Sequence, residues 1–109
     1  MAIKLSSITK PMIEAAKAAF LEDWPKISKF AEPELKRLAN SLRDIATLAA
    51  KGEISKEEAK SLLNIHRNTT LTVLLTVEGM GLLAVERAIN GALRAVAGVI
   101  NEALPFKLL

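Results

Sequence analysis

The sequence predicts an all-α fold: a bundle of four helical segments that includes a long, apolar C-terminal helix rich in small residues. Hydrophobic residues make up 50% of the 109 positions and aromatic residues only 4%, so most apolar side chains are aliphatic. That composition favours close-packed helices over a β-sandwich. Apolar residues also recur at three- and four-residue intervals along most of the chain, which is the period of a helical face. We therefore expect a single helical domain over residues 1–109.

Charge and residue types exclude several classes of function. Lys and Arg number 15 against 12 Asp and Glu, and this net charge of +3 does not favour nucleic acid as a partner. With no cysteine and one histidine, the chain cannot form a disulfide framework, a thiol catalyst or a multi-histidine metal site on its own. We expect no cofactor, no metal and no enzymatic activity. The N-terminal residues do not resemble a secretory signal, so we also expect a cytoplasmic location.

Two prolines guide the first half of the chain. A first helix is expected at about residues 9–24, and Pro25 should interrupt it because proline lacks an N–H and clashes with the preceding turn. Pro33 suits the first position of a second helix at 33–51. That helix should stop at Lys51-Gly52, a cation followed by a residue that tolerates a left-handed cap.

The next segment carries the clearest local signal in the chain. Ser55 followed three residues later by Glu58 is the pattern of a capping box, with Ile54 placed as its hydrophobic staple. This pattern predicts a helix starting at Ser55 and forming a hairpin with the second helix.

No proline then occurs before Pro105, and one uninterrupted helix over that distance would be far longer than average. We favour a break at Asn68-Thr69-Thr70, because these residues suit caps better than helix interiors. Gly79-Met80-Gly81 is the other candidate. The favoured break gives helices at 55–68 and 69–103, with a short apolar tail at 105–109.

A helical wheel for residues 69–103 separates three surfaces. Polar residues share one face: Thr72, Thr76, Glu86, Arg87, Asn90, Arg94 and Asn101. Large apolar residues share another: Leu71, Leu75, Leu82, Val85, Ile89, Leu93, Val96 and Ile100. Beside these lie small residues that would let another backbone approach closely: Gly81, Ala84, Ala88, Gly91, Ala92 and Ala95. This small face is our candidate interface for self-association.

Three polar residues stand on apolar stripes. Glu78 and Arg67 would oppose each other across an antiparallel two-fold pair of helices centred near Thr72, forming a salt bridge that sets the register. Alternatively, the helix bends at Gly79 and turns Glu78 to water. His66 fits a hydrogen-bonded core or interface position better than a metal ligand, although a symmetric assembly could bring several copies together.

We therefore expect a non-enzymatic bundle that acts by self-association or by binding a partner. One alternative is a membrane-active or membrane-surface protein of pore-forming or holin-like type, because residues 68–85 carry one charge. The lysines of the first two segments and the interface-prone Trp24 could also contact an anionic membrane surface. A third possibility is a carrier that holds a small apolar ligand between its helices.

Overall fold

The computed structural model describes residues 3–77 and 79–109. Over these ranges it contains four α-helices and no β-strand, which confirms the predicted all-α bundle. The helices are α1 (Leu5–Phe20), α2 (Trp24–Ala50), α3 (Lys56–Leu75) and α4 (Leu82–Glu102), and a 3-10 turn at Leu21–Asp23 joins α1 to α2.

The helices form a ring in sequence order. Each packs on the next along the chain, and α4 returns to α1 to make the most extensive helix pair. The short connections between α2, α3 and α4 make these neighbours antiparallel. The core is aliphatic, and each fully buried large side chain stabilises the fold by about 1.5–3 kcal/mol. Its largest members include Ile8, Met12, Ile27, Leu35, Leu38, Leu42, Leu74, Ile89 and Ile100.

Helix α1 begins and ends earlier than the predicted segment at 9–24. It starts at Leu5 without a side-chain cap and contains Pro11. It ends at Phe20 because Leu21 adopts a φ of +53°, which is incompatible with a continuing right-handed helix. The Phe20 and Trp24 rings stack across the resulting corner with centroids 6.3 Å apart. The chain therefore turns into α2 at the point where the first helix was expected to finish.

The two prolines act differently from the prediction. Pro25 lies in the first turn of α2, where its missing N–H costs no helical hydrogen bond. Pro33 lies inside α2, so the expectation that it opens a separate helix at 33–51 is wrong. An internal proline costs about 3 kcal/mol. The helix continues because its buried face extends across this position, through Ile27, Ala31, Leu35 and Leu38.

The hairpin between α2 and α3 follows the sequence signals. Gly52 adopts a φ of +74°, and its N–H donates to the Ala49 carbonyl at 3.1 Å. The Glu53 N–H donates to the Leu48 carbonyl at 2.9 Å, which completes a Schellman motif. The predicted capping box is also present at the start of α3.

The break between the last two helices lies at the second of the two candidate sites. Helix α3 runs through residues 68–70 to Leu75, and α4 starts at Leu82. The Thr69 and Thr72 hydroxyls each donate to a carbonyl four residues earlier, at 2.9 Å, so these threonines fit the helix interior. Gly79, with a φ of +87°, supports the turn instead. The expected helices at 55–68 and 69–103 therefore need correction.

Candidate functional site

Part of the predicted small face is used inside the chain. Ala88 and Ala92 are 1% and 0% exposed. A Cβ placed on Gly91 would lie 3.9 Å from the Ala15 carbonyl oxygen, so the α1 backbone closely approaches α4 here. These small residues serve packing between α1 and α4, and Ala88 and Ala92 cannot contact a second copy while the fold is intact. The candidate interface is thereby reduced to exposed Gly81 and Ala95, half-buried Ala84 and the edge of Gly91.

Of the two proposed register residues, the structure describes Arg67. Glu78 lies outside the described residues, so its pairing with Arg67 stays a prediction. Arg67 belongs to α3, which ends at Leu75. Its Nη2 donates to Oδ1 of Asn90 on α4 at 2.6 Å, so this guanidinium has a hydrogen-bond partner within its own chain.

His66 is half-buried between α2 and α3. It lines a cavity of about 110 Å³, whose polar lining also includes Arg37, Ser41, Thr69 and Thr70. The Arg37 guanidinium already pairs with Glu34. Among residues 3–77 and 79–109, no group of three or more His, Cys, Asp or Glu side chains is arranged to hold a metal ion.

Exposed large apolar side chains concentrate at one end of the bundle. This end is formed where α1 and α3 finish and where α2 and α4 begin. Of the eight most exposed large hydrophobic residues in the described part of the chain, five lie there. We call this surface the apolar end, and it comprises Leu21, Phe30, Leu75, Leu82 and Leu83.

Both signs of charge surround the apolar end. Glu22 and Asp23 lie in the α1–α2 corner, and Lys26 follows in the first turn of α2. The Lys26 Nζ would be 3.8 Å from a Cβ on Gly79, which places this ammonium beside the C-terminal end of α3. The negative end of the α3 dipole favours a cation at that position. The Lys29 Nζ lies 5.4 Å from the Phe30 ring centroid, within cation–π range.

A second surface feature is a groove between α3, α4 and the C-terminal tail. Its volume is about 490 Å³. Three of its lining residues are charged, and all three are cationic: Arg67, Arg94 and Lys107. We call it the cationic groove, and its remaining lining residues are Leu63, Asn90, Leu93, Ala97, Asn101 and Leu109.

The groove cations lack acidic partners over the described ranges. The ion pairs found there, Arg37–Glu34 and Arg43–Asp44, both lie on α2. The groove therefore combines unpaired positive charge with an aliphatic wall in which Leu63 and Leu93 are each only 8% exposed. The sequence did not predict this groove, because Arg67 lies outside the helix expected at 69–103 and reaches Asn90 only through the α3–α4 hairpin. The available signal in the sequence was the spacing of Asn90, Arg94 and Asn101, which places these three polar side chains on one face of a helix.

The C-terminal tail forms one wall of this groove and is held by one side chain. The Asn101 Oδ1 accepts hydrogen bonds from the N–H groups of Leu108 and Leu109 at 2.9 and 3.0 Å. The Asn101 Nδ2 donates to the Leu109 carbonyl at 3.0 Å. Asn101 was expected on the polar face of the last helix, but it is half-buried and hydrogen-bonds to the backbone of the tail.

The helices of the described chain include none that is both long and apolar enough to cross a membrane. Comparisons with protein-family models, curated protein sequences and solved structures find no significant match to this chain.

Proposed function

We propose that this chain is a non-enzymatic helical bundle that acts by association with a second copy through its apolar end. The observation that carries the proposal is the concentration of exposed leucines at that end. Leu21 is 72% exposed and Leu83 is 64% exposed, so both leave most of their apolar surface in water. Removing such surface from water contributes about 25 cal/mol per Å² to association, and clustered apolar patches are typical of interaction sites.

The mixed charge around the apolar end favours a second copy as the occupant. In a two-fold pair the same surface meets itself, so an acid of one copy can face a cation of the other. Glu22 and Asp23 on the corner and Lys26 on α2 supply both signs. An anionic membrane surface would instead favour a cationic majority, so membrane binding is the runner-up function.

The experiment is sedimentation velocity over a wide concentration range. We expect the wild-type chain to show a concentration-dependent increase in mass. The double substitution Leu21→Asp and Leu83→Asp should yield a monomer, because each carboxylate would have to lose water at the interface. The matched control is Ile65→Asp, since Ile65 is 58% exposed on α3 and lies outside the apolar end. The control should associate like wild type.

Two results would contradict this proposal. One is a wild-type chain that stays monomeric at every concentration, and the other is equal loss of association in the Ile65 control. Flotation with anionic vesicles tests the runner-up. Monomeric wild-type protein that binds vesicles, and loses binding on substitution of Leu21 and Leu83, would replace self-association by membrane binding.

A further inference from the structure

We infer that the cationic groove binds an amphipathic anion, a small molecule with a carboxylate head and an aliphatic tail. This inference is independent of association through the apolar end, since the groove is lined by other residues. Three features of the groove support it. They are the positions of the two arginines, the lack of carboxylate partners for the groove cations within the described ranges, and the aliphatic residues beside the arginines.

The two arginines flank the groove within about one helical turn of each other. Arg67 extends from α3 and is held by Asn90 of α4. Arg94 follows Asn90 by four residues on the same helix, so both side chains lie on one face of α4. Arginine presents a planar fork of donors that matches the two oxygens of a carboxylate. Both arginines line one groove, so a carboxylate bound there could accept several charge-assisted hydrogen bonds.

Charge complementarity selects an anion as the occupant. Lys107 adds a third positive charge to the same lining, and no Asp or Glu side chain lines the groove. No carboxylate within the described ranges pairs with any of the three cations. A bound carboxylate would relieve the mutual repulsion of these like charges as well as form new hydrogen bonds.

The apolar wall selects a molecule with a tail over a simple ion. Beyond the arginines, the groove is lined by Leu93, Ala97 and Leu109, which carry no hydrogen-bonding side chains. Its volume of about 490 Å³ lies within the range of ordinary small-molecule sites, about 300–1,000 Å³. The distance along α4 from Asn90 to Asn101 is about 16 Å at 1.5 Å per residue, so the groove is elongated enough for a medium-length aliphatic chain.

The test is isothermal titration calorimetry of the full chain with decanoate below its micellar concentration. We expect saturable binding of one decanoate per chain. Acetate, which has the head alone, and decanol, which has the tail with an uncharged head, should each bind at least about tenfold more weakly. Arg94→Gln should weaken decanoate binding by about tenfold or more, because it removes one arginine fork.

The matched control is Arg87→Gln. Arg87 is an exposed arginine on the same helix that does not line the groove, so this variant should bind decanoate like wild type. Circular dichroism verifies that both variants are folded. Backbone amide chemical shifts should change at Asn90, Ala97 and Asn101 on titration.

Several results would overturn the inference. If decanol bound as tightly as decanoate, the groove would have no site for an anionic head group. If Arg87→Gln weakened decanoate binding as much as Arg94→Gln does, the effect would come from the overall charge of the chain and not from the groove. Changes in backbone amide chemical shift confined to the apolar end would show that decanoate binds there and not in the groove. Repeating the titration on the Leu21 and Leu83 double variant separates the two proposals, because groove binding should persist there whether or not the chain associates.

Discussion

The Arg67 guanidinium on α3 donates to the Asn90 side-chain oxygen on α4 at 2.6 Å, across 23 positions of sequence. It joins two helices whose mutual packing is less extensive than that of α1 with α4. The bond therefore holds an arginine that lines the cationic groove, and it also links the two helices of the α3–α4 hairpin.

Asn90→Ala should lower the free energy of unfolding by about 0.5–1.5 kcal/mol, the usual net contribution of one hydrogen bond. Arg67→Gln should cost a similar amount, and the double variant should cost less than the sum because both substitutions remove the same bond. Urea denaturation of the four proteins measures this coupling. Fully additive losses would show that the hydrogen bond contributes nothing to stability.

Alanine substitutions at two exposed glycines should change the stability of the fold in opposite directions. No atom lies within 4 Å of a Cβ placed on Gly52 or on Gly98, so neither substitution meets a steric neighbour. Gly52 has a φ of +74°, a conformation that costs alanine about 1 kcal/mol. Gly98 lies inside α4, where alanine gains about 1 kcal/mol in helix propensity. Thermal unfolding should therefore show a lower Tm for Gly52→Ala and a higher Tm for Gly98→Ala, and a shared sign would contradict the argument.

The capping box predicts a specific dependence of stability on pH. The Ser55 backbone N–H donates to the Glu58 carboxylate at 2.9 Å. That bond first, and a hydrogen bond with the Ser55 side chain second, lower the pKa of Glu58 from its ordinary value of 4.5. Because the folded-state pKa is lowered, this stabilisation is complete above the unfolded-state value and is lost as pH falls through the folded-state value.

Glu58→Gln removes the titrating group and keeps an amide oxygen that can accept the Ser55 bond. The stability difference between wild type and this variant should be constant near about pH 7 and shrink towards about pH 3. Urea unfolding at several pH values measures it, and a difference independent of pH would contradict the assignment. Ser55→Ala should cost about 1 kcal/mol through loss of the cap.

Much of the fold was predictable because its signals are local. The Lys51-Gly52 stop and the Ser55–Glu58 box each depend on a few neighbouring residues, and both are present in the structure. The predicted large apolar face of the last helix is also largely correct from Val85 onward. Its core residues are Val85, Ile89, Leu93, Val96 and Ile100.

What the sequence did not reveal depends on tertiary contacts. Pro33 stays helical because a buried stripe crosses it, and the positive φ of Leu21 has no signature in residue type. The groove arises only once the α3–α4 hairpin places Arg67 beside Asn90. With the predicted break at 68–70, Arg67 and Asn90 would not lie opposite each other. They do so because α3 continues to Leu75 and α4 begins at Leu82.

Asn101 offers the sharpest test of how the tail contributes to the groove. Its side chain accounts for three hydrogen bonds to the backbone of Leu108 and Leu109. In Asn101→Ala the two N–H groups lose their acceptor, so their hydrogen exchange should accelerate markedly while the amides of α1 and α2 keep their protection.

Asn101→Asp is the matched control, since it retains an acceptor for both N–H groups and loses the donor to the Leu109 carbonyl. We therefore expect intermediate protection in the Asp variant. Unchanged exchange at Leu108 and Leu109 in Asn101→Ala would mean that burial of Leu104 and Leu108, not the amide, holds the tail against the bundle.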